Sequence, residues 1–242
     1  MQEKKTDKLE WWEIPARGSV IILAILFFIP FHWYRAAYLF TIGRFFPHTV
    51  ESRITEIGEG AEKRLALEKY PEKVKILVIK EDFVLELWGE YSSGEHKLIG
   101  TYRIFSASGS AGPKLREGDK QVPEGIYAIE SLHPNSIFYL ALKIDYPSEE
   151  DKKMAESDGR DPETLGSNIM LHGHGGSSGC IAVSDRTMED IFYLTSKVGI
   201  ENTRILIAPY DFRRKALPES TEPAWLLERY QKLDSEFKKM KQ

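Results

Sequence analysis

Between Val74 and Pro209 the chain breaks into short runs rich in β-branched and aromatic residues. VKILVIK (74–80), FVLELW (83–88), KLIGTYRIFSAS (97–108), GIYAIES (125–131), IFYLALKI (137–144), NIMLH (168–172), CIAV (180–183) and TRILIAP (203–209) have the length and make-up of strands. Glu81-Asp82 joins the first two as a hairpin, and Ser92-Ser93-Gly94 is the turn before the third. One clear helix interrupts the series. Arg186 to Val198 follows Ser184-Asp185, residue types that cap helix N-termini, and stops at Gly199. Strands so rarely separated by helices cannot build a βαβ array. They predict an α+β, predominantly β domain.

The flanks have a different texture. Pro47 to Lys73 is charged, and Val50 to Tyr70 reads as a helix interrupted at Gly58 and Gly60, a connector over 47–73 ahead of a domain at 74–210. Pro223 to Lys239 is an amphipathic, charged helix, read as a surface appendage over 211–242. Two polar stretches, Ser110 to Pro123 and Asp145 to Gly166, are long for loops of a compact domain, which makes them either functional or solvated excursions. Near the N-terminus, Gly18 to Tyr34 is uncharged and flanked by Trp11, Trp12, Trp33 and Tyr34. Its length is at the low end for a bilayer span, and aromatic flanks suit the interface. We read residues 1–46 as a stub and an uncleaved signal anchor. A cleavable signal peptide is the rival, and a buried helix a third option that Pro30 disfavours. Lys4, Lys5, Lys8 and Arg17 against Arg35, Arg44 and Arg53 place the N-terminus in the cytoplasm by a narrow margin. The domain is then outside, in the cell envelope. A net charge of −4 without a basic cluster argues against a nucleic-acid partner.

The chemistry concentrates at Leu171-His172-Gly173-His174-Gly175-Gly176-Ser177-Ser178-Gly179-Cys180-Ile181. A β run enters this glycine-rich stretch and another leaves it. Cys180 is the chain's only cysteine, so it has no disulfide partner within the chain. A thiol is only a few per cent ionised at neutral pH, and a nearby imidazole can take its proton and later return it to a leaving group. His172 and Cys180 flank one short loop. The N–H groups around Ser178, Gly179 and Cys180 are placed to form an oxyanion hole, an arrangement suited to acyl transfer through a thioester. Three alternatives use the same residues. His172 and His174 on one strand face, with Cys180, would make a zinc site lacking a fourth ligand. Ser177 stands in G-x-S-x-G, but no histidine follows His174 to serve it. The third is a glycine loop holding an inert buried thiol.

His172-Gly173 followed by Ser177-Ser178-Gly179-Cys180 resembles the signature of the L,D-transpeptidase (YkuD) catalytic domain family, a histidine, a spacer and then Ser/Thr-His-Gly-Cys. Gly112-Pro113-Lys114, Glu117-Gly118-Asp119 and Pro123-Glu124-Gly125-Ile126-Tyr127 resemble the stretch before the site in that family. His133-Pro134-Asn135-Ser136 and Asp145-Tyr146-Pro147 resemble its YafK-like branch. The resemblance covers Val74 to Pro209. It implies a mixed, mainly β fold of the L,D-transpeptidase kind, Cys180 as nucleophile, His172 as proton acceptor and donor, and Gly173, Ser177 and Gly179 as the matching loop positions. It implies peptidoglycan stem peptides as substrate, with no metal or organic cofactor. His174, Ser177, Arg116 and Asp119, with Lys114, are candidate substrate contacts. Chemistry also asks for a group orienting His172, and a backbone carbonyl would serve. Departures from the pattern bear on the outcome. Ser178 replaces the second histidine, and Ala182 and Ser184 stand where many members carry Arg or Asn. The acceptor could therefore be water, making the chain an L,D-carboxypeptidase or amidase. A non-catalytic peptidoglycan-binding module is the alternative of another class. Protein partners are not legible.

Overall fold

From Ile76 to Ile79 the strand Lys73–Ile79 (β1) is apolar without a break, and this reflects burial on both faces. Ile76 and Val78 enter one hydrophobic cluster, while Leu77 and Ile79 enter another. Successive side chains leave a strand on opposite faces, so one run can feed both clusters. The computed structural model describes residues 47–240, and those from His48 onward belong to one compact unit. The anchor predicted at 18–34 lies outside the described residues, and among those described no helix is long and apolar enough to cross a membrane.

β1 pairs antiparallel with Val84–Glu90 (β2), which pairs with His96–Arg103 (β3). On its other side β1 runs parallel to Thr203–Ala208 (β9). The long strand Gly125–Ser136 (β5) pairs with β9 through its first residues and with Tyr139–Ile144 (β6) through the rest. Met170–His172 (β7), Ile181–Ala182 (β8) and Ser106–Ala107 (β4) complete a nine-stranded order β3-β2-β1-β9-β5-β6-β7-β8-β4. β3 and β4 are at opposite ends of that order, yet only Ile104 and Phe105 separate them in the chain. Two residues reach about 10 Å at most. The sheet therefore curls until its ends meet. For the same reason the single strand predicted at 97–108 divides in two.

Helices cover both faces. Val50–Leu65 (α1) and Asp185–Val198 (α3) pack on one side. Gly58 does not break α1. A Cβ there would stand 3.3 Å from the Tyr193 ring, so the glycine lets α1 approach α3 closely. Arg64 then ties the helices together, donating to Asp190 at 2.6 Å and Glu189 at 2.8 Å. Trp225–Lys239 (α4) covers the other side with Leu226, Tyr230, Leu233 and Phe237, against Leu77, Ile79, Trp88 and Leu206. Neither the connector nor the appendage read from the sequence stands apart from the core. The polar stretch 145–166 is also more than a loop. It contains Glu149–Ser157 (α2), started by a capping box in which Ser148 and Asp151 satisfy each other's backbone N–H groups.

Candidate active site

β7 and β8 run parallel, with Leu171 opposite Ile181 and His172 opposite Ala182. Continued back by one residue, that register sets Cys180 opposite Met170. Met170 and His172 share a face because strand side chains alternate, so Cys180 and His172 are diagonal neighbours on one face of the sheet.

His172 is 1% exposed, and its surroundings fix the ring. Nδ1–H donates to the Gly173 carbonyl at 2.9 Å. The Phe138 ring stacks on the imidazole, centroids 4.4 Å apart and planes 24° from parallel. A proton on Nδ1 leaves the Nε2 lone pair bare, and Nε2 is buried without a hydrogen-bond partner among the described residues. Such an atom costs on the order of 1–3 kcal/mol in folding and calls for an explanation. Burial pushes the imidazole pKa below its ordinary 6.5, against the hydrogen bonds to the Gly173 and His174 backbone. The ring at neutral pH is thus an uncharged base.

Cys180 is partly exposed, and its Sγ points at the Asn168 carbonyl, 3.9 Å away. Burial pushes the thiol upward, opposed by the Met170 backbone and by the positive charge of Lys114. The resting pair is a thiol beside a neutral imidazole. No hydrogen bond joins the two among the described residues.

The loop between them is held tightly. A Cβ on Gly173 would fall 2.5 Å from Asp185 Oδ1 and 2.6 Å from the Phe138 carbonyl, so only glycine fits. Gly179 adopts φ 104°, in the region open to glycine. Ser177 Oγ donates to the Cys180 carbonyl at 2.6 Å and accepts from Ser108 N–H at 3.0 Å. Its hydroxyl is committed to shaping the loop. Gly179 N–H donates to Ser108 Oγ at 2.7 Å, so this member of the anticipated oxyanion hole is occupied. Ser178 is exposed. His174 does not share a strand face with His172, because β7 ends at His172. Its backbone N–H and Nδ1 both turn to Asp185 Oδ1, at 3.0 and 2.7 Å. Among the described residues no three His, Cys, Asp or Glu side chains gather as a metal site.

Of the candidate substrate contacts in the preceding loop, Lys114 and Asp119 are engaged with each other. Asp119 accepts from the backbone of Leu115, Arg116 and Gln121 and from Lys114 Nζ. Arg116 is exposed, and its carbonyl accepts from Lys114. A cavity of about 620 Å³ has walls from Glu117, Asp145, Tyr146, Gly166 and Ser167. It stops one residue short of Asn168, and neither Cys180 nor His172 lines it. Sequence reasoning missed Ser106 and Ser108, whose hydroxyls pin the loop, and placed Phe138 and Asn168 in strand runs without a role at the site. Asn168 does carry φ 59°, a conformation asparagine tolerates, and this aims its carbonyl at the thiol. The Ser-x-Ser pattern at 106–108 is too common to have revealed such a partnership.

Residues 73–207 match the family model of the L,D-transpeptidase catalytic domain, YkuD. YafK of Escherichia coli K12, described provisionally as an L,D-transpeptidase, is 31% identical over 143 residues, 58% of this chain and 54% of the relative. The chain thus spans about half the length of that curated relative. Among solved structures, the helical cell shape determining protein Pgp2 from Campylobacter jejuni aligns at TM-score 0.46 with 18% identity, covering 80% of this chain and 78% of that one. Bd1075 of Bdellovibrio bacteriovorus aligns at TM-score 0.42 with 24% identity, covering 60% and 50%.

Proposed function

Because the chain belongs to the L,D-transpeptidase catalytic domain family, we propose that it is a cysteine acyltransferase acting on the peptide stems of peptidoglycan, with Cys180 as nucleophile and His172 as its base. The observation that carries this reading is the His172 imidazole. It is buried and stacked, its Nδ1 is bound to the Gly173 carbonyl, and its bare Nε2 shares a sheet face with the sulfur. Rotation about the Cys180 Cα–Cβ bond takes Sγ from Asn168 toward Nε2. The imidazole accepts the thiol proton, and the sulfur attacks the carbonyl carbon of an L,D-amide bond. When the tetrahedral intermediate collapses, the carbon–nitrogen bond breaks and the imidazolium gives its proton to the leaving amine. An acceptor amine or water then attacks the thioester carbonyl and gives its proton to the imidazole, and the carbon–sulfur bond breaks as the sulfur takes that proton back as the free thiol. With Gly179 N–H engaged by Ser108, the Ser178 and Cys180 N–H groups are the loop's donors for the oxyanion.

Incubation with purified muropeptides and a free D-amino acid tests this reading. Transfer yields the exchanged stem. Shortened stems alone would identify a carboxypeptidase or amidase using the same pair. No turnover, with Cys180→Ala indistinguishable from the parent, would leave a peptidoglycan-binding module. In this reading the run at 18–34 anchors the chain so that the domain acts outside the membrane. Recovery of the full chain, but not of one lacking residues 1–46, in the membrane fraction tests that placement.

A further inference from the structure

Ile137 and Phe138 make the turn between β5 and β6 by themselves, since Ser136 pairs directly with Tyr139. Two-residue turns are ordinarily built from Gly, Asn or Asp, which accept positive φ. Here both positions are large and apolar. The positive φ, 80°, falls on Tyr139, where a bulky side chain makes it a strained conformation. Ile137 is 72% exposed, whereas Phe138 folds back onto His172. Local preference broken in this way is found where function imposes the geometry.

The turn is held from several directions. Asn135 Oδ1 accepts from His48 N–H at 2.9 Å, and Asn135 Nδ2 donates to the His48 carbonyl at 2.7 Å. Arg53 of α1 donates to the Pro134 carbonyl at 3.2 Å, and its guanidinium lies 5.6 Å from the centre of the Tyr139 ring. The Tyr139 hydroxyl donates to Glu189 of α3 at 2.8 Å, so the strained residue is anchored at its far end. Phe138 N–H donates to Ser136 Oγ at 3.1 Å. The loop at 173–180 makes room for what this turn carries. A Cβ on Gly173 would stand 2.6 Å from the Phe138 carbonyl, and one on Gly175 would stand 2.8 Å from the Phe138 ring.

We propose that Phe138 is a positioning residue for His172: its ring, carried by the strained turn, braces the imidazole so that Nδ1 stays on the Gly173 carbonyl and Nε2 stays free for the thiol. The inference rests on the reading of His172 as the base. One hydrogen bond, at Nδ1, fixes a single point of the ring and leaves its plane free to tilt. A flat surface 4.4 Å away and 24° from parallel removes that freedom and covers one face of the imidazole. Few ionisable groups face the ring from the elements around it. β6 sets Ala141 opposite His172, and β8 sets Ala182 there. The loop brings Cys180 and His174, and His174 turns to Asp185 at the start of α3.

The imidazole itself supplies the test. Nitrogen NMR of the full chain across pH, with His172 assigned by the signals lost in His172→Gln, reads its tautomer and its midpoint without substrate. The parent should hold one tautomer, protonated at Nδ1, and titrate below 6.5. Phe138→Leu should open one face of the ring to water, mix the tautomers and raise the midpoint by about half to one pH unit. On muropeptides the same variant should lose about three- to tenfold in kcat with KM kept, as expected when only the transition state feels the change. Phe138→Tyr keeps the flat ring and should restore every reading. A phenylalanine that merely filled the turn would leave the tautomer and the midpoint of His172 where they are. That result in Phe138→Leu, or a Phe138→Tyr that behaves like Phe138→Leu, overturns the proposal. Should Phe138→Leu fail to fold, Phe138→Met, closer in volume, decides by the same readings. The NMR experiment stands even if the parent turns over no muropeptide, so failure here is distinct from failure of the proposed activity.

Discussion

At the scale of single residues, the surroundings of the His172 imidazole set it apart from its neighbours and suit the base role proposed for it. Its Nδ1 is tied to a carbonyl, so the only basic atom left is the buried Nε2. General-base catalysis contributes about 10²–10⁴ in rate. We therefore expect His172→Gln to lose that much turnover on muropeptides, with the far-UV circular dichroism of the parent. In the proposed mechanism the same ring sets the acid side of the pH profile. It must be neutral to accept the thiol proton, and burial holds its pKa below the ordinary 6.5. Activity is then present above the folded pKa and lost as pH falls through it. The acid limb of kcat/KM should accordingly lie below 6.5, and a limb at or above that value would contradict a buried base. Gly173 is as constrained as the histidine. A Cβ there meets both Asp185 Oδ1 and a backbone carbonyl, and the carbonyl cannot move aside without shifting the β5–β6 turn that carries Phe138.

At the scale of elements, the loop at 173–180 borrows its shape from β4, a strand of two residues. Ser106 Oγ accepts from Ser177 N–H at 3.1 Å, and Ser108 Oγ accepts from Gly179 N–H. Removing the latter acceptor strands a buried N–H, at a cost of about 1–3 kcal/mol. Ser108→Ala should show that loss in urea denaturation together with lower turnover, and Ser108→Thr should recover both. The sequence disclosed most strands, and it set His172 and Cys180 at the two ends of one loop flanked by strands, because both are local signals. It did not disclose β4 as a separate strand, because Ile104 and Phe105 carry no turn residue and the break is forced by closure of the sheet, a long-range event. Nor did it disclose α2. Ser-Glu-Glu-Asp-Lys-Lys reads as a solvated charge run, and the pairing of Ser148 with Asp151 appears only once the backbone turns. That capping box gives a further expectation. Ser148→Ala should cost about 1 kcal/mol in global unfolding and raise hydrogen exchange within α2.

At the scale of the whole molecule, the second face of the sheet decides whether residues beyond 210 are dispensable. The family match ends at Ile207, and a charged, amphipathic segment past that point invites the view that it can be trimmed. The packing argues otherwise. α4 covers Leu77, Ile79, Trp88 and Leu206, and it also answers buried charge: Arg229 donates to Asp151 at 2.7 Å, and Tyr230 donates to Glu124, which itself holds Lys80 at 2.8 Å. Without the helix, apolar surface on β1, β2 and β9 would meet water, and Glu124 and Asp151 would each lose a partner inside the protein. Phe237 is fully buried at the centre of this layer, edge-on to Phe212. Truncating a buried phenylalanine to alanine costs about 3–5 kcal/mol through lost burial and the cavity left behind. Phe237→Ala should therefore lower the urea midpoint of the full chain severely, whereas Glu228→Ala on the exposed side of the same helix should stay within about 0.5 kcal/mol. Equal, small effects of the two would mean that the helix does not belong to the cooperative unit, and the site would then have to be stable on the family-matched residues alone.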